Sequence, residues 1–246
     1  MIRIDLNCDL GESYGNFKVG NDEAVFPYIS SCNVACGFHG GDPWHMSKTI
    51  ELALKHGARI GAHPSYPDLM GFGRRKMDIP AHELKAIIKY QIAALQGMAQ
   101  SMGATVAYVK PHGALYNKAA NDEAEATLVI QAIQEMDDQL ALMGLAGSLI
   151  EDIANNSNIE FIAEAFADRR YESNGRLMAR SKQGAVIYEA SEAVQQVRSI
   201  ALEQKVQTAD GNFRSLKAQS FCIHGDNPFA VAILEALRSE FEVTSI

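Results

Sequence analysis

No run of eighteen apolar residues occurs in the 246-residue sequence, and no basic segment followed by an apolar stretch opens it. Neither a membrane-spanning helix nor an export signal is therefore expected, and the expected compartment is the cytoplasm. Basic residues are in the minority: 22 Lys and Arg stand against 30 Asp and Glu, giving a net charge of −8. That balance argues against nucleic acid or an anionic membrane as a partner. Cysteine is sparse. Cys8, Cys32, Cys36 and Cys222 all lie in apolar, strand-like stretches, and Cys32 and Cys36 form a C-x3-C pair with no second half. Four reduced, buried thiols are expected, rather than a zinc knuckle. Common site signatures are also missing: there is no G-x-x-x-x-G-K-[ST] loop, no G-x-G-x-x-G after the first strand, and no G-x-S-x-G elbow.

With 47% hydrophobic residues the chain can bury a large core, and its length suits one α/β barrel as well as two small domains. An opening strand begins at Ile2 and runs into Gly11-Glu12, with Ile4, Leu6 and Cys8 on one face and Asp5, Asn7 and Asp9 on the other. Further strands are expected at Ser31–Phe38, Arg59–Ala62, Thr105–Val109, Leu140–Leu145, Ile159–Ala165 and Gln219–Ile223. Helices are expected at Asp22–Ser30, from Asp42 to Lys55 with Met46, Ile50 and Leu54 as its apolar stripe, and at Pro80–Met102, Asp122–Met136, Ser148–Asn155, Ala190–Gln204 and Pro228–Glu240. A hairpin is expected within Val206–Ser215. No linker rich in Pro, Gly or Ser interrupts this order, so one domain over 1–246 is the natural reading. Alternating strands and helices imply a parallel sheet. An open doubly wound sheet would serve, but polar residues at nearly every strand end favour a closed barrel, whose strand ends converge.

Those strand-end groups are Asp5, Asn7, Asp9 and Glu12, then His39, His63, Lys110 and His112, then Glu164, Asp168, His224 and Asp226. One His beside a Gly is commonly a loop residue satisfied by backbone, but four of the seven histidines fall at four different strand ends. His45, His56 and His82 fall on helices and are read as structural. A carboxylate with two or three imidazoles is a ligand set for zinc or manganese, which would polarise a carbonyl or acidify a water. Arg74, Arg75, Lys110, Arg169 and Arg180 lie in loops at the same end. Surface solvation explains such residues, and so does a site that grips a carboxylate or phosphate. The residues alone read as a hydrolase-like barrel.

Several long stretches carry a resemblance. Asp5-Leu-Asn-Cys-Asp-Leu-Gly-Glu12, Asn33-Val-Ala-Cys-Gly-Phe-His-Gly-Gly-Asp-Pro43, Gly61-Ala-His-Pro-Ser-Tyr-Pro-Asp-Leu-Met-Gly-Phe-Gly-Arg-Arg75, Val109-Lys-Pro-His-Gly-Ala-Leu-Tyr116, Glu164-Ala-Phe-Ala-Asp-Arg169 and Cys222-Ile-His-Gly-Asp-Asn-Pro228 look like the LamB/YcsF family nearly end to end. The resemblance implies a single-domain (β/α)7-type barrel similar to the polysaccharide deacetylase and glycoside hydrolase superfamily. It implies ATP-dependent opening of 5-oxoproline (pyroglutamate) to L-glutamate, with two partner subunits, B and C. The matching site positions are Asp9, Glu12, His39, His63, Lys110, His112, Glu164, Asp168, Arg169, Arg180, His224 and Asp226. Two positions depart from the family pattern, Asn174 where Asp is expected and Gln219 where an acidic residue is usual.

The chemistry agrees with that implication. A five-membered lactam is a resonance-stabilised amide, and ATP activates such a carbonyl by phosphorylating its oxygen. Without a phosphate loop, the nucleotide binds either through an unusual basic cluster here or on the partners. Water activated by Asp9, His39 and His63, directly or through a shared metal ion, would attack the lactam carbon. Lys110 with an arginine would hold the substrate carboxylate. The rival readings are a stand-alone metal-dependent amide hydrolase or deacetylase, and a non-catalytic regulatory subunit.

Overall fold

The computed structural model describes residues 2–246. In chain order the elements are β1 (Arg3–Leu10), α1 (Asp22–Val25) with a 3-10 turn at Phe26–Tyr28, β2 (Ser31–Ala35), α2 (Pro43–His56), β3 (Arg59–His63), α3 (Ala81–Ser101), β4 (Val106–Val109), α4 (Gly113–Ala119), α5 (Glu123–Gln134), β5 (Ala141–Leu145), α6 (Leu149–Asn155), β6 (Phe161–Phe166), α7 (Ala190–Glu203), β7 (Lys205–Gln207), β8 (Phe213–Ser215), β9 (Ser220–His224), α8 (Ala230–Glu240) and β10 (Glu242–Val243). Strands β1 to β6 and β9 pair in parallel around a closed ring, with β9 returning to β1 through Asp5↔Ser220 and Asp9↔His224. The result is a (β/α)7 barrel. β10 pairs in parallel with the start of β1, and β7 with β8 forms a separate antiparallel hairpin.

The opening strand departs from the ordinary half-buried pattern because both its faces are buried. Ile4, Leu6, Cys8 and Leu10 join the large apolar core with Ile50, Ile88 and Leu234. Alternation sends Asp5, Asn7 and Asp9 the other way, into the barrel. Inside, they meet Ser31 and Asn33 of β2, Ser220 of β9 and Lys110 beyond β4. The opposite interior wall is apolar: Tyr108, Ala141, Met143 and Ile162 form a small cluster separate from the main core. Barrel interiors are commonly filled by branched apolar side chains. This one is half polar.

Local signals set the helices that frame the mouth. Asp42 caps α2, accepting from Trp44 N at 2.9 Å and His45 N at 3.0 Å, with Pro43 in the first turn and left-handed Gly57 ending the helix. The buried stripe of α2 is Met46, Thr49, Ile50 and Ala53, while Leu54 is largely exposed, one position off the sequence reading. In α3, buried Gln91 clamps the Ser65 backbone, accepting from its N–H at 2.9 Å and donating to its carbonyl at 2.8 Å. That clamp fixes the start of the long loop after β3. The expected Asp22–Ser30 helix is a single turn followed by the 3-10 turn at Phe26–Tyr28, where Pro27 supplies no backbone donor.

Candidate active site

The floor of the site is an ion cluster at the mouth of the polar half-barrel. Lys110 Nζ lies 2.9 Å from Asp9 Oδ1, 2.6 Å from Glu164 Oε1 and 3.2 Å from both Asn7 Oδ1 and Cys222 Sγ. The Glu164 contact is an ion pair without hydrogen-bond alignment, since that oxygen has no hydrogen-bond partner, and the other carboxylate oxygen accepts from Tyr116 at 2.7 Å. Burial alone would discharge Lys110, yet Asp9, Cys222 and Glu164 hold its pKa well above the ordinary lysine range. Burial likewise pushes Asp9 up, and His63 with Lys110 outweighs it, keeping the carboxyl ionised. Lys110 is thus engaged from every side. It does not hold a substrate carboxylate, contrary to the sequence reading.

Above this floor three imidazoles and Glu12 converge. His39 and His112 stack with ring centroids 3.7 Å apart, and His63 stands edge-on to both. Their proton positions follow from their partners. A backbone carbonyl only accepts, so His63 donates through Nδ1 to Lys110 O at 2.7 Å, and His112 donates through Nε2 to Phe72 O at 2.9 Å. Burial and neighbouring imidazoles hold His112 well below its ordinary pKa, so it carries no second proton. The remaining nitrogens, His63 Nε2 and His112 Nδ1, point lone pairs at each other across 2.9 Å. Asp9 Oδ2 is 3.3 Å from the first, and Glu12 Oε1 is 3.7 Å from the second. Acceptors facing acceptors repel unless a proton or a cation lies among them.

A divalent cation fits this set. Glu12, His39, His63 and His112 each offer a ligand atom within 4.8 Å of the others, and two of the imidazoles are oriented by carbonyl partners, as metal-binding histidines usually are. Imidazole with carboxylate suits zinc or manganese. The trio expected from the sequence, Asp9 with His39 and His63, is revised here. Asp9 Oδ1 is taken by Asn33 at 2.7 Å and by Lys110, leaving only Oδ2 toward His63. Glu12 replaces it because left-handed Gly11 turns the chain at the strand end, and the Glu12 carbonyl docks on Gly41 N at 3.2 Å. Burial, then the nearby Asp9 charge, pushes the Glu12 carboxyl up to about 7.

The other side of the mouth carries His224. Its Nδ1 is 2.9 Å from Asp168 Oδ1, its ring lies against Phe166, and Asp168 also accepts from the His224 backbone N–H at 3.1 Å. Burial raises the Asp168 carboxyl, but His224 dominates and keeps it below its usual pKa. The ring is left with Nε2 toward a cavity of about 390 Å³ that Asp9, His63, His112, Tyr116, Arg169 and Arg180 also line. At the rim, Asp226 pairs with Arg74 Nη2 and Arg180 Nη1, each at 2.9 Å. Arg75 stands apart: its guanidinium is tied to Asp68, its side chain is 66% exposed, and it does not line the cavity. Its place among the substrate-binding residues is withdrawn.

Thus His39, His63, His112 and His224 share one mouth. Reading the sequence missed Asn33, Tyr108, Tyr116, Ser220, Phe72 and Gly73. Ser31 and Asn33 repeat the two-residue spacing of Asp5, Asn7 and Asp9, which was the available signal for a polar interior. Gly73 carried its own signal in the Gly-Phe-Gly run: at φ +64 it lies so close that an added Cβ would sit 2.7 Å from His112 Cδ2 and 2.8 Å from His39 Cβ.

A family model described as the LamB/YcsF family matches residues 4–246. One of two numbered A subunits of 5-oxoprolinase, the first, from Agrobacterium fabrum, is 48% identical over 246 residues, covering all of this chain and 96% of its own length. The A subunit of the Photorhabdus laumondii 5-oxoprolinase is 46% identical over the same span, with 98% of its length covered. The solved lactam utilization protein of Thermus thermophilus superposes with a TM-score of 0.93 at 40% identity, both chains being covered completely.

Proposed function

The chain belongs to the LamB/YcsF family, and from that premise we propose that it is the hydrolytic subunit of an ATP-dependent 5-oxoprolinase. In this reading it opens the lactam of 5-oxoproline to L-glutamate in the cytoplasm, together with subunits B and C. The observation that carries it is the ring of facing acceptors formed by Asp9, Glu12, His63 and His112, set beside an Asp168–His224 pair in one small cavity. Two proton-handling centres at one cavity suit a reaction in which water adds to a carbonyl carbon and an amide nitrogen leaves.

The roles follow from charge state. Asp9 is held ionised by His63 and Lys110, and its Oδ2 is the oxygen that faces the histidines, so it accepts the proton of the attacking water. The water oxygen bonds to the lactam carbon, the ring C–N bond breaks, and the departing nitrogen takes a proton. His224, oriented by Asp168, delivers that proton through Nε2. A zinc or manganese ion held by Glu12, His39, His63 and His112 would supply Lewis acidity and an acidified water. Asn33 and Lys110 keep Asp9 pointed at the centre. ATP activates the lactam oxygen, and the nucleotide is handled with the partner subunits, since the chain has no phosphate loop.

The donor set also favours a second reading, a metal-dependent amide hydrolase acting without ATP. One assay separates the two: glutamate release from 5-oxoproline by the purified chain, with and without ATP and the partner subunits. Glutamate is expected only in the complete mixture. Robust release by the chain alone, abolished by a chelator, would favour the second reading, and no release in the complete mixture would remove both.

A further inference from the structure

The cavity has a positive wall that the proton chemistry does not use. Arg74, Arg169 and Arg180 all line it, in a chain whose net charge is −8. One carboxylate, Asp226, answers Arg74 and Arg180, while Asp168 is engaged with His224. Arg169 is the telling residue. It is only 7% exposed, its Nη2 donates to the Met178 carbonyl, and its Nε is buried with no hydrogen-bond partner. A buried guanidinium N–H without an acceptor is costly, and cavity-lining placement makes a ligand oxygen the missing partner.

We infer that Arg169 and Arg180, with Arg74 at the rim, form an oxyanion subsite that grips the carboxylate of the lactam acid and presents its ring amide to Asp9 and His224. Only the identity of the anion rests on the 5-oxoproline reading. The guanidinium fork matches a carboxylate and a phosphoryl group equally well, so the phosphoryl group of an activated substrate is the other source of the same chemistry. Asp226 anchors Arg180 from the side and leaves its remaining donors for the ligand.

The test is calorimetric titration of the full chain with 5-oxoproline, with 2-pyrrolidinone, which lacks the carboxylate, and with inorganic phosphate. Arg180→Gln and Arg169→Gln are titrated beside the wild type, each with a thermal melt. Partly exposed Arg180 is the fold-safe variant, and it decides the outcome if Arg169→Gln unfolds. The expected result is binding of 5-oxoproline and not of 2-pyrrolidinone, weakened at least about tenfold in Arg180→Gln, as loss of a charged hydrogen bond implies. Phosphate binding that depends on Arg180, without 5-oxoproline binding, supports the subsite and removes the lactam-acid reading. Equal 5-oxoproline binding by wild type and folded Arg180→Gln overturns the subsite and leaves that reading intact. Binding of neither anion by the wild type overturns the subsite as well.

Discussion

Lys110 shows how one side chain sets the state of its neighbours. Its ammonium sits between Asp9 and Glu164 with almost no solvent access, so the cluster is stable only while the charges answer one another. Removing one member of a buried pair strands the others, a loss of roughly 3–5 kcal/mol. Lys110→Gln should lower stability by that order in urea unfolding, and adding Glu164→Gln should recover part of it; a double variant no better than the single one would contradict the cluster's ionic character. Asp226 gives a pH-dependent counterpart. Burial raises its carboxyl, but Arg180 and Arg74 outweigh this and bring it down to about 2. A depressed carboxylate contributes stability above its unfolded pKa, near 3.9, and loses it as pH falls toward 2. Asp226→Asn should therefore be less stable than wild type at pH 6, by at most about 2 kcal/mol. The gap should close between pH 4 and pH 2; a gap that persists at pH 2 would place the loss elsewhere.

At the level of elements, the loop after β3 is what turns separate strand ends into a site. Gly71 N donates to Asp68 Oδ1 at 2.9 Å, and the Gly73 carbonyl accepts from Ala114 N at 2.8 Å, so the loop is pinned at β3 and at the start of α4. Phe72 lies edge-on to His39 and His112, and its carbonyl fixes the His112 tautomer. Gly73→Ala combines a left-handed backbone with a clash against both stacked histidines, and strain of that kind amounts to about 1–3 kcal/mol. Its expected signature is a lower melting temperature together with loss of turnover in the reconstituted complex, and an unchanged melt would mean the loop gives way freely. The seven barrel strands, the order of the long helices and the convergence of four histidines were legible in the sequence, because two-residue and helical periodicities mark them and Gly or Pro punctuates their ends. α4 was not, since seven residues behind Gly113 carry too little pattern. β10 has two residues. The exchange of Asp9 for Glu12 and His112 depends on the turn at Gly11 and on which oxygen Lys110 occupies, and no spacing along a chain encodes either.

The whole molecule divides its barrel lengthwise. The β1, β2 and β9 side is a hydrogen-bonded column from Asp5 through Ser220, Asn7 and Asn33 to Asp9, while the β4 to β6 side is closed by Tyr108, Met143 and Ile162. Tyr108 joins the halves by donating to Asn33 Oδ1 at 2.7 Å. Such a column holds Asp9 rigidly at the floor of the mouth, which is what a base that must stay aimed requires. Among the described residues no helix is long and apolar enough to cross a membrane. The central claim is that this chain carries the hydrolytic centre, and the most direct measurement is glutamate release from 5-oxoproline by the reconstituted, ATP-supplied complex containing Asp9→Asn. Asparagine keeps an oxygen for Lys110 and Asn33 but cannot take a proton from water. Release should fall by about 10²–10⁴-fold, the usual contribution of a positioned base, with melting and assembly unchanged. Turnover near that of the wild type would place the hydrolytic chemistry on another subunit.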